Sequence, residues 1–369
     1  MDIKCTNEDN CLRLPNTYRT IAIGDLHGDL NLAINVLLLA EVIKKVQMPY
    51  NDETVKVIDK NNEEEYYAWI GNTTQVVQVG DQIDRCRSNI TSNKLIPTED
   101  CISPMIDDED SDIKILTLYT ELDILAKKYG GRLINLLGNH ELMNLSKDFR
   151  YVSPMGVFRY NNLISLSEIN TPAAIINLYK TDKKLYDEAY KSGITNRSKE
   201  FSNTQLFYLS QNRRSAVIIK DILFVHGGIV DTNFTPEQFE NINYHIQQSL
   251  LHNKTLEDNF RDIFWNRKLN ELDYDDKKCK KYKKVFEYYN IKRIVVGHTP
   301  QINLSQIDRN GINSSCNETI WRIDIASSLA FKGIPNANES IQVLEILHHE
   351  NGKDKFNILK ADYDGINFL

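Results

Sequence analysis

Five short apolar runs in this chain stop abruptly at small or polar residues. They are RTIAIG before DLHGD (residues 19–29), QVVQVG before DQIDR (75–85), RLINLL before GNHE (132–141), DILFV before HGG (221–228), and RIVVG before HTP (293–300). A continuous apolar run of this length, bounded by turn residues, is the pattern of a strand buried on both faces. When such strands share a sheet, loops at one edge bring together residues distant in the chain, and those loops commonly carry chemistry.

The segments between the runs set the architecture. After DLHGD, the stretch LNLAINVLLLAEVIKK places Leu30, Ile34, Leu37 and Leu38 on one stripe, with Asp29 as N-cap, and predicts a helix. Residues 50–75 predict a hairpin ahead of QVVQVG, and 112–129 an amphipathic helix closed by Gly130 and Gly131. The stretch 88–111 lacks periodicity and carries a charge run, which reads as a surface insertion. Residues 156–212 are polar and helical, and TIWRIDIA (319–326) and SIQVLEIL (340–347) read as strands. Strands alternate with helices in the first half, and the C-terminal part is strand-rich. The expectation is an α/β (α+β) fold, a two-sheet sandwich flanked by helices. It forms a single domain over 1–369 with insertions at about 50–74, 87–111 and 156–212.

Composition restricts the partners. With 369 residues and 41% hydrophobic content the chain can bury a large core. No apolar run reaches the length of about 18 residues needed to cross a bilayer, and the first residues lack the apolar stretch of a secretion signal. The expectation is therefore a cytoplasmic protein with no membrane partner. Its net charge of −7 argues against a general nucleic-acid binder. The six cysteines, Cys5, Cys11, Cys86, Cys101, Cys279 and Cys316, are spread too widely for a disulfide framework or a CxxC zinc knuckle, so reduced thiols are expected.

The five loops supply Asp25, His27, Asp81, Asp84, Arg85, Asn139, His140, His226 and His298. Carboxylates, imidazoles and one amide oxygen, with no cysteine among the main candidates, suit borderline or hard divalent metals, and two metals would use the whole set. Gly24, Gly80, Gly138 and Gly297 each precede a candidate ligand, where a missing side chain allows close backbone approach. Any one of these residues alone fits a turn, a cap or a satisfied core histidine. Five strand ends doing so together favours a metal centre. His245, His252, His348 and His349 lack that context and read as surface or packing residues.

The order GDLHGD, GDQIDR, GNHE, HGG and GH resembles the metal-dependent phosphoprotein phosphatase superfamily. VVQVGDQIDR, LLGNHELMNLSKDFRYV, LFVHGGI and IVVGHTPQ are most similar to its bacterial-type Shewanella-like branch. The resemblance implies a calcineurin-like β-sandwich with two divalent cations at the strand ends, manganese first, with iron and zinc as alternatives. It implies that Asp25 and His27 hold one metal, that Asp81 bridges, and that Asn139, His226 and His298 complete the second. It makes His140 the proton donor to the leaving group, Asp84 its orienting partner, Arg85 the phosphoryl-gripping guanidinium, and Arg267 in FWNRK a further phosphate contact, with Asn139 at the substrate. The implied activity is phosphate monoester hydrolysis on phosphoproteins or small phosphoesters by a metal-bridging hydroxide. The alternatives are dinucleoside polyphosphate hydrolysis and a metal-binding scaffold without turnover. Two positions depart from the family pattern: Cys86 stands where a glycine is usual after Asp84-Arg85, and Leu137 where many relatives have arginine.

Overall fold

Two sheets face each other, and the apolar runs lie at their centres. The computed structural model describes residues 11–47, 51–59, 63–87, 110–270, 276–302, 311–331, 340–349 and 353–362. Its elements in chain order begin with β1 (Arg13–Leu14), β2 (Arg19–Ile23), α1 (Leu30–Leu39), β3 (Ile43–Val46), β4 (Val55–Ile58), β5 (Glu64–Trp69) and β6 (Gln75–Gln78). Next come α2 (Asp112–Lys127), β7 (Arg132–Asn135), α3 (Asn139–Leu145), α4 (Pro154–Phe158), α5 (Pro172–Thr181), α6 (Lys183–Glu200) and α7 (Leu206–Asn212). The second half holds β8 (Ala216–Ile219), β9 (Ile222–Val225), α8 (Pro236–Glu240), α9 (Ile242–Leu251), α10 (Asp258–Trp265), α11 (Asp276–Tyr288), β10 (Arg293–Val296), β11 (Asn313–Ser315), β12 (Ile320–Arg322), β13 (Ser340–Leu347) and β14 (Lys355–Asp362).

One sheet has the order β14-β13-β2-β6-β7, the other β1-β8-β9-β10-β12-β11. In the first, β2, β6 and β7 run parallel. In the second, β9, β10 and β12 do the same. Each sheet therefore sends three carboxyl ends to one edge. Ala22, Val77, Ile134, Phe224, Val295 and Trp321 fill the space between the sheets. Their neighbours Ile21, Val76 and Leu133 point outward under α1 and α2. Both faces of these strands are covered, which is why they read as unbroken apolar runs. The result is the expected sandwich flanked by helices. A third, antiparallel sheet of β3, β5 and β4 stands beside it, with β4 and β5 forming a hairpin. Among the described residues, no helix is long and apolar enough to cross a membrane.

Two expectations need correction. The helix after DLHGD keeps its Asp29 cap, which accepts the Leu32 amide at 3.0 Å. It ends at Leu39, however, because Glu41 takes φ 53°, and Ile43–Val46 then pairs as β3. The reduced-thiol reading is also overturned: Cys279 on α11 is bonded to Cys316 with a Cα–Cα distance of 5.4 Å, and Cys11 and Cys86 are disulfide-bonded too. The partners in the Cys279–Cys316 pair lie 37 residues apart in sequence and meet only in the fold, so spacing could not reveal them. Most of the insertion expected after Arg87 falls outside the described residues.

The Cys279–Cys316 link removes freedom from the unfolded chain, by the loop-entropy argument worth about 4 kcal/mol for a loop of this size. Cys279→Ser is expected to lower the melting temperature by several degrees, and non-reduced peptide mapping of the parent should show the cross-linked pair. A variant melting with the parent, or free thiols at both positions, would contradict this.

Candidate metal centre

The carboxyl ends of β2, β6 and β7 present Asp25, Asp81 and Asn139, and those of β9 and β10 present His226 and His298. All five, with His27, are buried. Loop backbones lock them together. The amides of Leu26 and His27 both donate to the Asp81 carbonyl at 2.9 Å. The glutamate of GNHE, Glu141, is fully buried and accepts from the amides of Gly138 (2.6 Å), Asp81 (3.0 Å) and Gln82 (2.8 Å). Gly138 has to be glycine, because a Cβ there would sit 2.1 Å from Asp81 Oδ1. At Gly297 the same atom would fall 2.3 Å from Asp25 Oδ1. His27, Asp81, Asp84 and His298 all have positive φ (46°, 53°, 73° and 68°), a conformation that costs on the order of 1–3 kcal/mol at a non-glycine residue and clusters at functional sites.

The side chains converge on Asp81. Its Oδ2 lies 3.2 Å from His226 Nε2, 3.8 Å from His140 Nε2 and 4.0 Å from His27 Nε2, and Asp25 Oδ2 lies 3.8 Å from His27 Nε2. His226 Nδ1 donates to the Val79 carbonyl at 2.9 Å, which turns its Nε2 toward Asp81 and toward Asn139 Oδ1 at 3.0 Å. Three acceptor atoms thus face one another. Two groups of donors form around the shared carboxylate: His27, Asp81 and His140, and Asp81, His226 and His298.

Electrostatics show the same need. Burial, then the neighbouring Asp324 and Asp81, push the Asp25 carboxyl well above the ordinary range. Asp81 goes the other way: burial would raise it, but His226, His140 and His27 hold it well below. Burial, then Arg87 and His140, depress His27, and burial followed by His226 and Arg267 presses His298 down to about 2. Neutral imidazoles are the ligand form. Burial would depress His226 as well, but Asp81 outweighs it and raises this ring. His298 Nε2 and Asp324 Oδ2 are buried without a hydrogen-bond partner. Donor separations of 3.8–4.0 Å exceed a hydrogen bond but suit two atoms each about 2.0–2.2 Å from one cation. The residues fit divalent metal.

Behind this centre stands a buried polar chain. His140 Nδ1 donates to Asp84 Oδ2 at 2.8 Å, and Asn144 Nδ2 donates to Asp84 Oδ1 at 2.8 Å. Asn144 Oδ1 accepts from Arg197 Nη2 at 2.8 Å, and the same nitrogen donates to Asp112 Oδ2, also at 2.8 Å. Asp112 Oδ1 closes the circuit by accepting the Asp84 amide at 3.0 Å. Arg197 belongs to α6, in the polar helical stretch, yet is completely buried, with its guanidinium 4.5 Å from the Phe201 ring centroid.

The arginines divide. Arg85 is buried, and its Nη1 donates to the Gly28 carbonyl at 3.0 Å. Arg267 is exposed and reaches Thr299 Oγ1 at 3.4 Å, on the His298 side. Sequence reasoning passed over Glu141, Asn144, Arg197, Arg87 and Asp324. Asp324 follows β12 as the sixth strand end, and the apolar–polar alternation of WRIDI hid it. The polar setting of α6 gave no sign that Arg197 is buried.

The chain belongs to the calcineurin-like phosphoesterase family, whose model matches residues 18–301. That membership makes it a metal-dependent phosphoester hydrolase. It is 24% identical over 355 residues to Shewanella-like protein phosphatase 2 of Arabidopsis thaliana, covering 89% of this chain and 76% of that one. It is 25% identical over 325 residues to Shewanella-like protein phosphatase 1 of Plasmodium berghei (strain Anka), covering 84% and 67%. Among solved structures, a cold-active protein-tyrosine phosphatase of a psychrophilic Shewanella species has a TM-score of 0.54 at 17% identity, over 97% of this chain and 83% of that one, and so shares the fold.

Asp324 offers a test of metal-free strain. Burial, and secondarily the charge of Asp81, raise its carboxyl to about 6. A group raised on folding stabilises below its unfolded value, about 3.9, and loses that contribution as pH rises through 6. In chelator, the parent melting temperature should therefore fall between pH 4 and 7 more steeply than that of Asp324→Asn. Parallel curves would contradict the assignment.

Proposed function

We propose that this chain is a phosphoprotein phosphatase that hydrolyses phosphate monoesters of serine and threonine, with tyrosine as a further substrate. The observation that carries the reading is the His140–Asp84 pair, 2.8 Å apart, with His140 Nε2 3.8 Å from Asp81, the carboxylate common to both donor groups. One cation would be held by Asp25, His27 and Asp81, and a second by Asp81, Asn139, His226 and His298. Such ions make bound water acidic enough to attack at neutral pH and neutralise phosphoryl charge. The resemblance puts manganese first, and the mixed carboxylate and imidazole donors accept iron or zinc as well.

The protein's own residues supply the rest. Asp84 accepts the Nδ1 proton of His140 and fixes its tautomer, so Nε2 faces the cleft, 3.8 Å from Asp81 Oδ2. From there His140 gives a proton to the leaving oxygen as the P–O bond breaks, which removes the need to expel a strong base. Asn139 turns its amide oxygen to His226 at 3.0 Å, while its amide nitrogen donates to Met143 Sδ at 3.7 Å; the resemblance also gives Asn139 a place at the substrate. The resemblance offers Arg85, buried beside Gly28, and Arg267, exposed on the His298 side, as guanidinium candidates for the phosphoryl oxygens.

The names of the Arabidopsis and Plasmodium relatives favour a protein substrate. The net charge of −7 favours no nucleic-acid partner, and no helix among the described residues is long and apolar enough to cross a membrane. The disulfides at Cys11, Cys86 and Cys279–Cys316 favour an oxidising compartment over the cytoplasm expected from the lack of a long apolar run.

With manganese, hydrolysis of p-nitrophenyl phosphate is expected to vanish in Asp81→Asn, and to fall about 10²–10⁴-fold in His140→Asn while its metal content stays near that of the parent. Full activity in both would remove the mechanism. Faster cleavage of diadenosine tetraphosphate than of phosphopeptides would shift the substrate to dinucleoside polyphosphates.

A further inference from the structure

The departure at Cys86 has a structural consequence for the residue after it. In DQIDRCR, Cys86 is disulfide-bonded, and its amide donates to the Tyr151 carbonyl at 2.9 Å. That pins the loop against the segment following α3. Arg87 is then held by one nitrogen: Nη1 donates to the carbonyls of Asp84 (3.0 Å) and Cys86 (2.8 Å). No carboxylate among the described residues forms a salt bridge with it, and neither Nε nor Nη2 makes a hydrogen bond to them.

Two aromatic rings flank the guanidinium. Its central carbon lies 5.6 Å from the Tyr151 ring centroid and 5.0 Å from that of Phe331. Each ring in turn touches a histidine of the centre: Tyr151 is 4.9 Å from His140, and Phe331 is 5.5 Å from His27. Phe331 is itself anchored, since the 329–331 turn is tied to the first loop by the Leu329 amide donating to Asp29 Oδ2 at 2.7 Å. A half-buried cation thus lies against two rings, each of which also contacts a histidine of the centre.

We propose that Arg87, clamped between Tyr151 and Phe331, is a further substrate-binding guanidinium that meets the phosphoryl group from the His27–His140 side. The free edge of Arg87 offers parallel N–H donors matched to two phosphoryl oxygens, and its flat faces suit the ring slot. A lysine would keep the charge and lose both. With Arg267 beside His298, the phosphoryl group would be flanked by cations on two sides.

This inference rests on the phosphoester hydrolase reading, and the test separates the two. Arg87→Ala and Arg87→Lys, loaded with manganese, would be compared with the parent for kcat and KM on p-nitrophenyl phosphate and for inorganic phosphate binding by calorimetry. We expect both kcat/KM and phosphate affinity to fall about 10–100-fold in Arg87→Ala, with Arg87→Lys recovering only part, at unchanged metal content and melting temperature. Phosphate affinity equal to the parent's in both variants, or full recovery by lysine, overturns the role of Arg87 and leaves the hydrolase reading intact. A parent that neither hydrolyses phosphoesters nor binds phosphate ends both. Should Arg87→Ala fold poorly, Arg87→Lys alone decides by the same criteria.

Discussion

Asp25, Asp81 and Asp324 are buried close enough to perturb one another, and nothing among the described residues satisfies all three. Burying a carboxylate costs several kcal/mol, and burying like charges together costs more, unless cations or protons intervene. The protein answers in part with histidines around Asp81. It leaves Asp25 shifted far up, Asp324 at about 6, and a buried Asp324 oxygen without a partner. A cluster of buried carboxylates and neutral imidazoles of this kind is well matched to divalent cations. The positive-φ loop residues, the glycines that bring backbone onto Asp25 and Asp81, and the triple clamp of Glu141 all serve this cluster.

The sandwich makes the cluster possible because each sheet sends three parallel strand ends to the same edge. One sheet contributes Asp25, His27, Asp81 and Asn139, the other His226, His298 and Asp324. Outside the sandwich, the helical segment around α6 takes part through Arg197, which links it to Asn144, Asp84 and so to His140. That segment is more than decoration on the surface, since a residue from it completes the support of the proposed proton donor. The Cys86 disulfide and its bond to Tyr151 do similar work for the loop that bears Arg87.

Much of this was legible in the sequence, for a physical reason. Strands covered on both faces must be continuously apolar, so the point where Gly138-Asn139 or Gly80-Asp81 breaks the run marks a place where polar side chains were kept at some cost. The sandwich and the converging loops follow from that pattern. Asp324 escaped because Arg322 and Asp324 alternate with apolar residues, as on an ordinary half-exposed strand. Arg197 escaped because its burial arises from tertiary packing of a helix that is otherwise polar. The end of α1 at Leu39 was hidden by apolar residues that serve a helix and then a strand with equal ease. The disulfide between Cys279 and Cys316 depends on a meeting of α11 with the turn before β12 that spacing does not encode.

The central claim is that Asp81 is shared between two cations. Anomalous diffraction from crystals grown with manganese tests it most directly. Two anomalous peaks should flank Asp81, each about 2.0–2.3 Å from one of its carboxylate oxygens, with Asp25 and His27 on one and Asn139, His226 and His298 on the other. No anomalous peak, or a single ion with Asp81 turned away from it, would contradict the account.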